Sequence, residues 1–66
     1  MTTQEKVMYI IELLELSDRQ VASAIGLALS TVTHKRLLIG WNSFKERDFE
    51  KLKSYYMEKL TKISAL

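Results

Sequence analysis

The sequence predicts an all-α domain, a compact arrangement of four helices with a long C-terminal one. Three observations carry this. The 66-residue chain has no proline and only two glycines, Gly26 and Gly40, whereas a many-stranded β fold needs turn residues about every 8–12 positions. Pairs of Ser or Thr with Glu or Gln three residues later occur at Thr2–Glu5, Ser17–Gln20 and Ser43–Glu46. At that spacing side chain and backbone can cap a helix start reciprocally. Finally, Phe49, Leu52, Tyr56, Leu60 and Ile63 follow one another at intervals of 3, 4, 4 and 3 residues, one face of a long amphipathic helix.

The first helix is expected from Thr2 to about Leu16. Val7, Ile10, Ile11 and Leu14 form its inward face, Met8 and Leu13 widen it, and Glu12 and Glu15 take the other side. The second is short, about Asp18 to Ile25. Asp18 suits the positive end of the helix dipole, and Val21, Ala22 and Ile25 point inward. Gly26 stands where a helix end favours a left-handed residue. A third helix is expected over the run from Ser30 to Leu38, with Gly40 ending it. Thr31, Val32 and Thr33 make a strand the competing local reading. Trp41-Asn42 reads as a loop, and the last helix runs to near Ser64. Phe44, Phe49, Leu52 and Tyr56 are its expected core residues.

Composition narrows the function classes. At 7.7 kDa the chain makes one small domain, residues 1–66, too small for the cleft of most enzymes. No cysteine is present and His34 is the sole histidine, so neither a metal site nor Ser-His-Asp chemistry has a supporting ligand set or spacing. No catalytic residue, metal or cofactor is expected. The N-terminal residues lack the pattern of a signal peptide. The longest stretch free of Asp, Glu, Lys and Arg, Gln20–His34, is 15 residues, short of the roughly 20 apolar residues of a membrane span. A cytoplasmic protein is expected. Charge is uneven: residues 1–18 set Lys6 against Glu5, Glu12, Glu15 and Asp18, while residues 19–47 set Arg19, Lys35, Arg36, Lys45 and Arg47 against Glu46. An anionic partner would sit along the basic middle of the chain.

Two short helices joined by a glycine-containing turn are the helix-turn-helix arrangement, here over about residues 18–38. Val21 and Ile25 pack its first helix, and Ala22 is small where the helices cross. Gly26 supplies a positive φ, and Leu27 and Val32 anchor the turn and the second helix. From Ser17 to Tyr56 the chain resembles the Cro/cI-type helix-turn-helix family of phage and bacterial regulators. It is most similar to short phage members, in which a Lys follows the recognition helix, then a Gly, then a Phe opening the next helix; Lys35, Gly40 and Phe44 stand in those places.

The resemblance implies a DNA-binding repressor of Cro type, acting as a homodimer on double-stranded DNA in a bacterial host. It places Ala28, Leu29, Ser30, Thr31, Thr33 and His34 at the exposed reading positions. Arg19 is placed at a phosphate-gripping position, and Lys35, Arg36, Lys45 and Arg47 supply further phosphate contacts. Two departures stand out. Ala28 and Leu29 replace the usual polar residues, and no Arg, Asn or Gln lies between Ala28 and His34 to make bidentate base contacts. Lys35 occupies a position usually apolar, where its stem can cover the core with the ammonium exposed. These features motivate an alternative, a protein-binding modulator (an anti-repressor) that docks the same fold on a partner repressor. Trp41 is either a lid on the core or an exposed anchor. The apolar stripe continues through Met57, Leu60 and Ile63, and either folds back on the first helix or, with Trp41 and Tyr55, forms a partner face.

Overall fold

The computed structural model describes residues 1–66 and contains four helices and no strand: α1 (Thr3–Leu13), α2 (Asp18–Ile25), α3 (Leu29–Leu37) and α4 (Glu46–Ser64). No helix is long and apolar enough to cross a membrane. The competing strand over Thr31–Thr33 is not formed. The β-branched side chains sit in a nine-residue helix whose Val32 is wholly buried, so burial of that face overrides a weak local preference.

Two of the three expected caps form. Thr2 Oγ1 accepts the Glu5 amide at 3.1 Å while the Thr2 amide donates to the Glu5 carboxylate at 2.9 Å. Ser17 and Gln20 make the same reciprocal pair at 3.2 and 2.8 Å. The Ser43–Glu46 cap does not form. α4 begins two residues later than that spacing implies, with Lys45 as its N-cap residue, and the Lys45 amide donates to Asp48 Oδ2 at 2.9 Å. Each such cap contributes about 1 kcal/mol.

Three helices end on a left-handed residue, only one of them glycine. After α1, Glu15 has φ 52°, and the Leu16 amide donates back to the Ile11 carbonyl at 2.9 Å. After α2, Gly26 has φ 81° and the Leu27 amide reaches the Ala22 carbonyl. After α3, Leu38 has φ 57° and the Ile39 amide reaches the His34 carbonyl at 3.0 Å. These are Schellman-type closures. α3 therefore ends at Leu37, three residues before Gly40, which instead turns the chain between Ile39 and Asn42. The first helix likewise stops at Leu13 rather than near Leu16.

α4 packs against α1 and α2, and α3 packs against α2. The core they enclose consists of Val7, Ile11, Val21, Ala22, Ile25, Val32, Phe44 and Leu52, with Phe49, Tyr56, Ile10 and Leu27 partly buried against it. Each fully buried aliphatic contributes about 1.5–3 kcal/mol, so this small set carries the fold. Leu13, expected to widen the inward face, is the last residue of α1 and is 64% exposed. The molecule measures 43 × 25 × 19 Å. α4, at about 28 Å for its 19 residues, extends beyond the core, and Met57, Leu60 and Ile63 on its last turns stay more than half exposed.

Candidate nucleic-acid interface

α2 and α3 stand as two helices joined through Gly26, with the back of α3 fixed by Val32. Its register is set by charge as well. Asp18, in the first turn of α2, accepts from Arg36 Nε at 2.8 Å and from Arg36 Nη2 at 3.1 Å, and from Thr33 Oγ1 at 2.9 Å. The guanidinium and the Thr33 hydroxyl hold the Asp18 carboxyl below the ordinary carboxylate range, and Asp18 in turn raises Arg36.

A second clamp fixes the far end of α3. Lys35 Nζ donates to Asp48 Oδ2 at 2.7 Å, with the two side chains 12% and 2% exposed. Burial alone would push the Asp48 carboxyl up. The Lys35 ammonium, the Lys45 amide and the charge of Arg47 outweigh it and hold the group below its ordinary value. Gln4 closes the same corner: its Nε2 donates to the Lys35 carbonyl at 3.0 Å and its Oε1 accepts the Phe44 amide at 2.8 Å. Thr3 Oγ1 donates to Glu46 at 2.8 Å beside it.

These contacts sort the expected site residues. Ala28, Leu29, Ser30 and His34 are exposed along the front of α3, and Thr31 is half-buried. Arg19, Lys45 and Arg47 are also exposed, Lys45 with its ammonium on Ser43 Oγ at 3.0 Å. Three expectations are corrected. The Lys35 ammonium is not exposed to a phosphate, because a buried carboxylate claims it. Arg36 is turned onto Asp18 rather than outward. Thr33 donates to Asp18 and also to the Leu29 carbonyl at 3.2 Å, so its hydroxyl faces α2 and not the front. With Lys35 and Arg36 so committed, His34 is the only titratable side chain on the outward face of α3.

The expected partner surface divides into separate places. Trp41 is 99% exposed in the α3–α4 connection, so it is no lid on the core. Leu37, Leu38 and Ile39 beside it in sequence are 53, 55 and 47% exposed. Tyr55 lies between α2 and α4, edge-on to Tyr56, in a cleft shared with Arg19 and Lys59. Met57 and Leu60 line a different groove, against α1.

Asp48 and Gln4 were missed as positioning residues. Asp48 carried a legible signal: it lies four residues before Leu52 on the apolar stripe, where an acid needs a partner. Gln4 carried none, since its two partners come from distant parts of the chain. No family model matches the chain, and no curated protein or solved structure matches it.

Proposed function

We propose that α2 and α3 form a DNA-binding helix-turn-helix, and that the chain is a small transcriptional regulator, a Cro-type repressor of phage or prophage, working in the bacterial cytoplasm. The observation that carries this reading is the α2–Gly26–α3 unit. α3 is held from behind by Val32, Thr33, Lys35 and Arg36, and its front, with Leu29, Ser30 and His34, is open. No side chain caps the start of α3, so its first-turn amides are free to meet a phosphate oxygen. Ser30 and His34 supply hydrogen bonds to bases or phosphates, and Ala28 and Leu29 supply apolar contact with thymine methyls. Arg19, Lys45 and Arg47 supply backbone attraction.

Titrating the protein with mixed-sequence duplex DNA at low salt tests this. Amide shifts at Arg19, Leu29–His34 and Lys45–Arg47, with affinity falling as salt rises, are the expected result. Absence of any shift with the fold intact overturns it.

The second reading, a modulator docking on a partner repressor, is favoured by one observation: Leu37, Leu38, Ile39 and Trp41 lie exposed just past the reading face. Under it, Leu29→Asp or Trp41→Ala abolishes function while Arg19→Ala with Arg47→Ala does not.

A further inference from the structure

The cleft between α2 and α4 has a volume of about 360 Å³, within the range of sites for small organic ligands. Arg19, Gln20 and Ser23 form one wall, and Tyr55, Tyr56 and Lys59 form the other. No carboxylate lines it. The acids next in sequence to its two cations are engaged elsewhere: Asp18 holds Arg36 at 2.8 Å, and Glu58 pairs with Lys62 at 3.5 Å. Arg19 and Lys59 therefore have no counter-ion within the chain. The neutral groups add donors. Gln20 gives its side-chain oxygen to the Ser17 amide at 2.8 Å, so its Nε2 is what remains for the cleft. Ser23, Tyr55 and Tyr56 bring hydroxyls. Burial raises the Tyr56 hydroxyl above its usual value, which keeps it a neutral donor. The tyrosine wall is braced: the two rings meet edge to face with centroids 4.9 Å apart, and Lys59 Nζ lies 4.8 Å from the centroid of Tyr55.

We propose that this cleft binds a small organic phosphate, a phosphate monoester carried on a planar ring, as in a nucleoside monophosphate. A monoester bears nearly two negative charges at neutral pH, which matches two unpaired cations; a carboxylate would satisfy only one. The Arg19 guanidinium suits two phosphate oxygens as a fork, Lys59 adds a point charge, and Gln20 Nε2 and the Ser23 hydroxyl donate to what remains. The ring packs on the tyrosine wall, where rigid aromatic side chains give contact area at small entropic cost. The site does not rest on the DNA-binding reading, since Tyr55, Tyr56 and Lys59 lie on α4 outside the residues assigned to DNA. Where both hold, the occupant and a duplex backbone compete for Arg19, and the small molecule weakens DNA binding.

Amide-shift titration of the full chain with adenosine 5′-monophosphate tests it, with inorganic phosphate, adenosine and duplex DNA titrated in parallel. The expected result is saturable shifts confined to Arg19–Ser23 and Tyr55–Lys59, with the monophosphate binding about tenfold or more tighter than inorganic phosphate or adenosine alone. Arg19→Gln and Lys59→Gln should each weaken it about tenfold, the loss of one charge-assisted hydrogen bond. Both positions are exposed, so the helical circular dichroism should not change. Tyr55→Leu should weaken the monophosphate and leave inorganic phosphate unaffected. Lys45→Gln with Arg47→Gln should alter neither. Absence of a saturable shift by about 10 mM, weaker than any specific site, overturns the proposal. So does a monophosphate that binds no tighter than inorganic phosphate, or one indifferent to Lys59→Gln. Duplex DNA that shifts Tyr55 and Lys59 while the monophosphate does not also overturns it, and gives the cleft to the nucleic-acid backbone. Shifts at Leu29–His34 with duplex DNA decide the DNA-binding reading separately.

Discussion

Lys35 and Asp48 each break a pattern, and each is explained by the other. A cation where α3 should be apolar and an acid on the apolar stripe of α4 meet at 2.7 Å. Removing one partner of a buried pair strands the other, at a cost of about 3–5 kcal/mol, against a total stability of about 3–10 kcal/mol for a chain this long. Asp48→Ala should therefore leave the protein largely unfolded in water, as read by urea titration. Lys35→Met with Asp48→Leu should recover most of the loss, because an apolar pair of similar volume fills the same corner. The acid side of the pH profile follows from the same groups. Asp18 and Asp48 both have depressed folded values, so their stabilisation is complete above the unfolded carboxylate value of about 3.9. It is lost as pH falls through their lower folded values. Thermal melts should accordingly hold a steady midpoint from neutral pH to about pH 5 and fall below about pH 4. The two misfits were both visible in the sequence; their pairing was not, because it depends on how α3 and α4 cross.

Helix starts were easier to read than helix ends. Thr2–Glu5 and Ser17–Gln20 act locally, within one turn, so spacing alone identifies them. Ser43–Glu46 has the same spacing and fails, because the chain before α4 is fixed by distant contacts: Gln4 holds the Phe44 amide, and Asp48, anchored by Lys35, takes the Lys45 amide. Ends depend on backbone conformation, which glycine announces and other residues do not. Gly26 was legible for that reason, while Glu15 and Leu38 adopt the same left-handed region unannounced. Outside glycine that region costs roughly 1–2 kcal/mol. Glu15→Gly and Leu38→Gly should each raise stability by up to about 1 kcal/mol, after the added entropy of the unfolded chain is allowed for. The check is a chemical denaturation midpoint measured at concentrations where the chain is monomeric.

Over the whole molecule, the four helices were legible from capping spacings and the α4 stripe, and the buried residues Val21, Ala22, Ile25 and Val32 of α2 and α3 from their spacing around Gly26. The electrostatic surface was not, because a sequence does not reveal which cations are already engaged. With Lys35 and Arg36 held internally, Arg19, Lys45 and Arg47 are the cations left exposed at the candidate interface. Under the proposed DNA-binding reading, the logarithm of affinity should fall with the logarithm of salt at a slope of only about 3–4, and Arg19→Ala with Arg47→Ala should reduce that slope by about 2. Fluorescence anisotropy across a salt series measures both. The 99% exposure of Trp41, the only tryptophan, also determines what light emission can report. Its indole is already in water in the native chain, so unfolding barely shifts its spectrum, and tryptophan emission will be nearly blind to stability. The same indole becomes a clean sensor of position. Emission should move to the blue when something covers the end of α3, and stay unmoved when a ligand settles anywhere else on the molecule.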